Sequence, residues 1–450
     1  MPGILEAVDA AARYRSHYDR VMGGRADGGA DGKWFDTTRA AAFERFSELG
    51  FPGTRDEAWR HTNVAPIAAQ GFAPADGDVA VAPDAMKPLV LPDGGGARLV
   101  FVNGRLSRAL SSTGSVGGVR VCGLAEAMGD ADGVAARHLA RHASFDAHAF
   151  TALNTALLVD GALVHIPAGA VVDGAIELVF ISTSSAPATV SHPRSLIIAE
   201  RNCEATIVET YAGVGAGVYF TNAVTEVVAG DGAVVDHYKV GREGERAYHV
   251  GTLQIHQERG SQVSSHALTF GGRLVRNDIN TVMSGEGCCC TLRGLYVIGG
   301  EQHVDNHLVV DHARAHCDSR EFFKGILDGG ATGVFTGRIV VRDGAQKTDA
   351  KQTNNSLILS DRARVESQPQ LEIFADDVKC THGATIGRVD DEAVFYLRSR
   401  GLGDVLARSM LVHAFAGESV AEIKVEALRR RLESLVLTRL PQGGLLQGAL

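Results

Sequence analysis

The chain has 450 residues, of which 45% are apolar, so it can bury a sizeable core without disulfides or structural metals. Its formal net charge of −9 and its lack of a dense basic stripe exclude general binding to the phosphates of nucleic acid. Glycine is frequent, at 53 residues, whereas only 6% of residues are aromatic, and this bias favours tight turns and thin, regular coils.

The cysteines and the hydropathy pattern predict the compartment. Seven cysteines in no regular framework, together with a start that lacks the apolar core of a secretion signal, predict a reducing, cytoplasmic setting. No stretch approaches the roughly 18 apolar residues of a membrane span, so we expect no membrane contact.

Helices are predicted first, over residues 1–75. Apolar positions recur at helical spacing through LEAVDAAARYR and TTRAAAFERFSEL, and Gly50 and Pro52 end the second segment.

Residues 76–160 are predicted to form a connecting segment. It contains the strand-like ARLVFVNGRL and a helical stretch, AARHLARHASFDAHAFTALNTALL.

An internal repeat predicts the fold of residues 161–388. Polar turns followed by short β-prone runs begin at five positions, spaced by 30, 28, 27 and 28 residues, which are Asn202, Gly232, Gly260, Gly287 and Ala315. That period is too short for a βαβ unit with its loops, but it suits one or two rungs of a strand solenoid. We therefore predict a mainly β fold, with a parallel β-helix core between helical ends. A β-sandwich with evenly spaced hairpins is the alternative, although Asn-Gly hairpin turns are scarce.

Residues 389–450 are predicted to be helical again. Asp390 can cap a first helix that Gly401 ends, and Gly417 and Ser419 are expected to separate the two helices that follow. The predicted helices cover residues 390–400, 404–416 and 420–440. Such a tail either caps the last coil of a solenoid or docks a partner.

Two clusters of potential metal ligands occur inside the repeats. Cys288, Cys289 and Cys290 are adjacent, so in a strand the outer two share a face and the middle one points away, which favours packing over a zinc site. The second cluster has four imidazoles within fourteen residues beside a cysteine, and its members are His303, His307, His312, His316 and Cys317. It can ligate a metal only if the coil folds these side chains together, and its irregular spacing favours a hydrogen-bonded polar ladder instead.

The most informative motif is DDVKCTHGATIG, at residues 376–387, in which Cys380 and His382 are two residues apart. In a strand this spacing puts both side chains on one face, and a thiolate and an imidazole are both suited to iron. Two ligands do not complete a coordination sphere, so a metal there would need further ligands from elsewhere. The pair therefore indicates a shared site.

Three segments in order resemble the C-terminal signature of the SufB/SufD family, the scaffold subunits of the SUF iron–sulfur cluster assembly system. These are AQKTDAKQTNNSLILS at 345–360, PQLEIFADDVKCTHGATIG at 369–387 and FYLRSRG at 395–401. The resemblance continues upstream through FFKGIL and FVNGRLS, and TRDEAWRHTNV is similar to the R-x-E-x-W-[KR]-x-T motif of the SufD branch. SufB-type chains carry a cysteine ligand after the FY of the third segment, whereas this chain has Leu397, so the match is to the SufD branch.

The resemblance implies a right-handed parallel β-helix that pairs with a SufB-type subunit. It implies that His382 contributes to a nascent iron–sulfur cluster at the interface between the two subunits. Cys380 matches the neighbouring cysteine of the motif, whose role is less defined. The cluster is expected to be transient and shared with the partner, with no cofactor tightly bound to the isolated chain, and the chain alone could form a homodimer.

The resemblance also implies a SufC-type ABC ATPase as a second partner. The chain contains no P-loop motif of its own, so we expect a scaffold subunit without catalytic activity. The helices from Asp404 to Leu440 are the candidate docking surface, on the resemblance and on their amphipathic pattern, and capping of the solenoid is their alternative role. The candidate contacts are Asp404, Leu411, Phe415 and Val420.

Two further hypotheses belong to other classes of function. The chain could be a purely structural partner that stabilises the SufB-type subunit and positions the ATPase without touching metal. A carbohydrate-active β-helix enzyme is the third hypothesis, because that fold suits long polysaccharides. It would need a catalytic set in adjoining coils and usually a secretion signal.

Overall fold

The computed structural model describes residues 2–23, 32–75, 79–92, 96–112, 117–183 and 187–440. Within these ranges the α-helices are α1 Pro2–Gly23, α2 Asp36–Leu49, α3 Ala65–Ala69, α4 Pro83–Met86, α5 Leu124–Ala127, α6 Val134–His138, α7 Ala149–Leu157, α8 Asp391–Ser399, α9 Asp404–Val420 and α10 Glu426–Arg439. Residue 76, where the connecting segment was predicted to begin, and residues 441–450 of the predicted tail lie outside the described residues.

The strands, numbered along the chain, form two sheets. Sheet A contains β1 Ala73–Pro74, β4 Arg120–Gly123, β5 Gly161–Ile166, β7 Thr189–Ser191, β8 Arg194–Ala199, β10 Tyr219–Ala229, β12 Tyr248–Gln257, β14 Leu274–Met283, β16 His303–His312, β18 Thr332–Val341 and β20 Arg364–Ile373. Sheet B contains β2 Arg98–Val102, β3 Arg105–Leu106, β6 Val171–Thr183, β9 Glu204–Val214, β11 Val234–Arg242, β13 Gln262–Thr269, β15 Cys289–Ile298, β17 Asp318–Leu327, β19 Asp349–Ile358 and β21 Lys379–Gly387.

From β8 to β21, successive strands alternate between the two sheets, and each pairs in parallel with the strand two positions along the chain, which makes a β-solenoid of about seven turns. In sheet B the register partners Glu204, Val234, Gln262, Cys289 and Asp318 are 30, 28, 27 and 29 residues apart. The repeat predicted from sequence is therefore one complete coil of two strands. The solenoid prediction is confirmed, and the parallel pairing rules out the β-sandwich. The hand of the coil stays a prediction.

A row of small buried side chains shows why the coils stack so regularly. One residue immediately precedes each strand of sheet B from β9 to β19, at the corner where the chain turns, and each is at most 1% exposed. Small side chains let neighbouring coils approach to the spacing of a β-ladder. The row consists of Cys203, Ala233, Ser261, Cys288, Cys317 and Thr348.

The N-terminal helices pack on the outer face of sheet A, where Phe220, Tyr248 and Leu274 belong to the same buried cluster as residues of α1, α2 and α7. The TRDEAWRHTNV motif secures this contact. Trp59 lies under the guanidinium of Arg276 at 3.9 Å from the ring centroid, and the hydroxyl of Thr62 donates to a carboxylate oxygen of Asp305 at 2.6 Å. The motif thus fixes the N-terminal segment to the middle coils.

The continuous helical stretch predicted over residues 135–158 is wrong, because α6 ends at His138 and α7 begins at Ala149. The break has a specific cause. The buried carboxylate of Glu226 accepts hydrogen bonds from the backbone N–H groups of Ala140, His142 and Ala143, each at 3.0 Å. These N–H groups are satisfied by a side chain from sheet A, so the helix does not continue.

The predicted separation at Gly417 is also wrong, since α9 runs on to Val420 and the chain turns before α10. Val412, Ala416 and Val420 recur every four residues and pack on the outer face of sheet B, in one cluster with residues of β11, β13 and β15. This apolar stripe crosses Gly417, so packing holds the helix together there. The first tail helix agrees with prediction, and the carboxylate of Asp390 accepts from the backbone N–H of Glu392 at 2.9 Å.

No helix within the described residues is long and apolar enough to cross a membrane.

Candidate functional site

Cys380 and His382 lie in β21, the last strand of sheet B in the described chain, as predicted. β21 pairs in parallel with β19, which places Cys380 beside Ala350 and His382 beside Gln352. Ala350 and Gln352 face the interior of the solenoid and are each 1% exposed. Cys380 and His382 therefore continue two interior rows, at the point where the stack of coils ends.

The last coil is open to solvent because no further strand of the described chain covers it. Cys380 is half-buried, whereas His382 and most of its neighbours in β21 are exposed. Of eight exposed large hydrophobic side chains in the described chain, six lie between residues 373 and 405, and Phe374 and Phe395 are 62% and 72% exposed. An open strand edge beside exposed apolar side chains is a typical interaction surface.

The pair at residues 380 and 382 is chemically incomplete as a metal site. Burial raises the pKa of the Cys380 thiol, so a metal must displace its proton before the sulfur can ligate. In the part of the chain that the structure describes, no group of three His, Cys, Asp or Glu side chains is arranged to hold a metal. Iron bound by His382 would therefore need further ligands from outside the described part of this chain.

Two polar residues below the site were not singled out from the sequence. Gln352 lies beside His382 on the neighbouring coil, in the same interior row. Glu321 lies beside Gln352 in that row, one coil further from the open end. Gln352 Nε2 donates to Glu321 Oε2 at 2.5 Å, and burial raises the pKa of Glu321 to about 7. Only the strand register brings these residues together, since they are about 30 residues apart in sequence.

The histidines of β16 do not converge on one point. His303 and His307 face outward, where His303 Nε2 is 2.9 Å from the Thr62 hydroxyl and His307 Nδ1 is 3.7 Å from Asp278. His312 faces inward and is bonded to Ser319 at 2.9 Å, whereas His316 is exposed in a turn. The structure thus supports the polar, hydrogen-bonded interpretation of this cluster.

The adjacent cysteines follow the predicted alternation. Cys288 and Cys290 are buried and Cys289 is exposed. Cys288 and Cys317 belong to the row of small corner residues, where the Cys288 thiol contacts the backbone carbonyl of Glu258 at 3.1 Å. These cysteines pack the solenoid.

The four candidate contacts for an ATPase differ in exposure. Asp404 is exposed at the start of α9, and Leu411 is half-buried. Phe415 is half-buried against Lys324, whose ammonium is 4.2 Å from the ring centroid and donates to the Phe415 carbonyl at 2.9 Å. Val420 is 2% exposed and faces sheet B, so it has no surface to offer a partner. These contacts show that α9 covers the outer face of the sheet.

Comparison with protein families identifies two matching models. One is described as "SUF system FeS cluster assembly, SufBD core domain" and matches residues 180–415. The other is described as "SufBD protein N-terminal region" and matches residues 28–178. Neither description concerns carbohydrates, which leaves the hypothesis of a polysaccharide-cleaving enzyme without support.

Curated relatives match over most of the chain. An iron–sulfur cluster assembly SufBD family protein of Synechocystis is 33% identical over 413 residues, which cover 89% of this chain and 90% of the relative. The iron–sulfur cluster assembly protein SufD of Escherichia coli is 29% identical, covering 89% of this chain and 92% of the relative. SufD of Bacillus subtilis is 29% identical, covering 65% and 67%.

Proposed function

The chain belongs to the SufBD family of iron–sulfur cluster assembly proteins, and we propose that it acts there as a SufD-type scaffold subunit without catalytic activity of its own. Two observations support the SufD assignment. Two of the relatives that match over two thirds or more of their own length are named SufD. In addition, Leu397 occupies the position after FY where SufB-type chains carry a cysteine ligand.

The proposed partner surface is the open end of the solenoid. Among the described residues, no strand pairs with the outer edge of β21, and exposed apolar side chains lie close to it in sequence on either side. A SufB-type subunit with a solenoid of its own could cover both features at once, by pairing with the edge and burying the apolar groups. A second copy of this chain is the expected occupant when that subunit is absent.

The proposed role of His382 follows from its place on this surface. An exposed imidazole at a subunit seam can ligate iron together with ligands of the second chain, and a neutral imidazole is released more readily than a thiolate. Such shared ligation suits a cluster that is assembled as cargo and then handed on. Cys380, two residues away and on the same face, is the proposed auxiliary ligand once its thiol loses its proton.

A SufC-type ATPase is the proposed second partner, docked on the outward face of α9. Asp404 and Leu411 remain candidate contacts, whereas Phe415 and Val420 are occupied by packing on the solenoid. The α9 helix would then both cap the sheet and carry the ATPase. A cytoplasmic setting is part of the proposal, because all seven cysteines are free thiols.

The observation that carries the proposal is the exposure of His382 on an interior row at the end of the stack. The test is reconstitution of the complex from this chain, its SufB-type partner and the ATPase under anaerobic conditions, with iron and sulfide analysis. His382→Ala should leave complex assembly intact and abolish cluster build-up. His148→Ala, which removes an exposed imidazole from the N-terminal region, is the matched control and should retain full build-up.

A purely structural partner is the second candidate function, and the incomplete ligand set at residues 380 and 382 within the described chain favours it. The same experiment separates the two. If the His382→Ala complex accumulates as much iron and sulfide as the wild type, His382 is not a ligand and the chain acts only by supporting its partner.

A further inference from the structure

A cavity of about 420 Å³ lies where the N-terminal helices meet the first coils of the solenoid. Its walls come from α1, α2, α5, the turn between β2 and β3, the end of α7, and β7 with the residue that follows it. This volume is typical of pockets that enclose a small organic molecule. None of the residues proposed for cluster assembly lines it, so binding in this cavity would be independent of that function.

His192 lines this cavity, and one of its ring nitrogens has no hydrogen-bond partner among the described protein groups. Asn222 Nδ2 donates to the carbonyl of Phe150 at 2.9 Å and to His192 Nδ1 at 3.2 Å, so Nδ1 is an acceptor. Burial lowers the pKa of His192 to about 3, so the ring is neutral and carries its hydrogen on Nε2. The residue is 9% exposed, and Nε2 is buried without a hydrogen-bond partner. A buried N–H is normally paired, which indicates a missing acceptor.

The charges that line the cavity are positive. Arg20 of α1 and Arg105 of β3 are exposed and form no ion pair with a described carboxylate. His17 also lines the cavity, but its ring is neutral near pH 7 because burial lowers its pKa to about 4. No Asp or Glu is among the described residues that line the cavity. An acidic group entering here would meet several donors and no opposing negative charge from these residues.

Two other charged groups have partners of their own: Arg39, which lines the cavity, and Asp160, which lies close to Arg105 but is not a lining residue. Arg39 Nη1 donates to the carbonyl of Leu158 at 2.5 Å, and its Nε is 4.0 Å from the carboxylate of Asp36. Asp160 is near Arg105, but its carboxylate accepts from backbone N–H groups, including that of Leu106 at 3.0 Å. Neither group neutralises Arg20 or supplies the acceptor that His192 lacks.

The rest of the lining is largely apolar, with Val21, Met128, Leu157, Leu158 and Val190. We propose that the cavity binds a small organic anion. Its acidic group, a carboxylate, sulfonate or phosphate, is held by Arg20, Arg105 and the Nε2–H of His192. Its apolar or aromatic body lies against Met128 and the end of α7.

A matched pair of fluorescent probes tests this assignment on the full chain. The anionic probe is 1-anilinonaphthalene-8-sulfonate, and the neutral probe is N-phenyl-1-naphthylamine, which has the same aromatic body without the sulfonate. The double variant Arg20→Gln, Arg105→Gln should bind the sulfonate about tenfold more weakly, because two charge-assisted contacts are lost, and should bind the neutral probe as the wild type does. Both arginines are exposed, so the fold should be unchanged, which circular dichroism checks.

Arg15→Gln is the control, since Arg15 is exposed on the same helix but does not line the cavity. It should bind both probes with wild-type affinity. Equal sulfonate affinities for the double variant and the wild type would overturn the site. An equal loss for both probes would overturn the assignment of an anion, and so would the absence of saturable sulfonate binding by the wild type.

Discussion

The coils from β9 to β19 and the last coil, β20 with β21, are built on the same repeat but are covered differently. The interior row that contains Gln352 at 1% exposure continues into His382, which is exposed. A coil follows β19 in the stack, whereas in the described chain none follows β21. Position in the stack, more than residue type, therefore decides whether a side chain is buried.

This difference indicates that the middle coils mainly stabilise the fold, whereas the last coil is available for interaction with another chain. The middle coils bury their rows of side chains on both neighbours, so a change there disturbs packing on two sides. The last coil has one neighbour, so its residues are free to serve a contact with another chain. Four matched comparisons test this division, in order of the expected effect on the free energy of unfolding.

The largest effect is expected for Arg194→Ala. Arg194 and Glu226 form an ion pair at 2.7 Å in which both side chains are fully buried, and Glu226 also holds the loop after α6. Removing the arginine leaves a buried carboxylate without its charge partner, which should lower the free energy of unfolding by about 3–5 kcal/mol. Urea unfolding of the full chain measures this loss.

The control for this variant is an exposed pair close to the last coil. Arg388 contacts Asp361 at 2.5 Å, with both side chains exposed, so Arg388→Ala should change stability by about 0.5 kcal/mol or less. Comparable losses for the two variants would contradict the division between middle and last coils.

The second effect depends on pH. Burial raises the pKa of Glu321 to about 7, whereas an unfolded chain has a glutamate pKa of about 4.3. Between these values the folded state holds a proton that the unfolded state has released. The contribution of the protonated Glu321 carboxyl to the free energy of unfolding is therefore present in full below about pH 4. It falls by up to about 3 kcal/mol as the pH rises towards 7.

Glu321→Gln should remove this dependence, because the amide does not titrate. Urea unfolding at about pH 5, 6 and 7 should show the variant gaining stability relative to the wild type as the pH rises. Glu366→Gln, which removes an exposed carboxylate from the last coil, is the control and should follow the wild type. A constant difference between Glu321→Gln and the wild type across this range would be evidence against a buried, protonated carboxyl.

The third comparison uses two glycines in sheet B. A β-carbon at Gly294 would overlap the ring of Phe323 on the next coil, whereas one at Gly383 in β21 would meet nothing within 4 Å. Gly294→Ala should therefore lower the free energy of unfolding by about 1–3 kcal/mol, and Gly383→Ala should leave it nearly unchanged. Thermal unfolding of the two variants provides the measurement, and a Gly383→Ala loss as large as that of Gly294→Ala would show that the last coil is packed as tightly as the others.

The smallest effect on the isolated chain is expected for His382→Ala. The side chain is exposed and has no described hydrogen bond, so stability should change by about 0.5 kcal/mol or less, whereas the proposed ligand role predicts that cluster build-up in the complex should be lost. Circular dichroism melting of the isolated chain checks this. A loss above about 1 kcal/mol would show that the imidazole packs its own solenoid.

Local sequence patterns predicted the solenoid well, because each coil repeats the same turn and the same alternation of buried and exposed residues. They also placed Cys380 and His382 correctly on one face of a strand. They failed at Gly417, where the contact of α9 with sheet B outweighs the weak helix propensity of glycine. They failed again after His138, because the group that ends α6 is Glu226, more than 80 residues away in sequence.

The amino-acid sequence was enough to establish the β-solenoid with helical ends, the family and the candidate ligand pair, since these depend on short-range periodicity and on contiguous motifs. The burial of Val420, the row from His382 through Gln352 to Glu321 and the basic cavity around His192 emerged only from the folded chain. Each of these depends on which distant segments become neighbours, and that is set by strand register and helix packing, which no local pattern encodes.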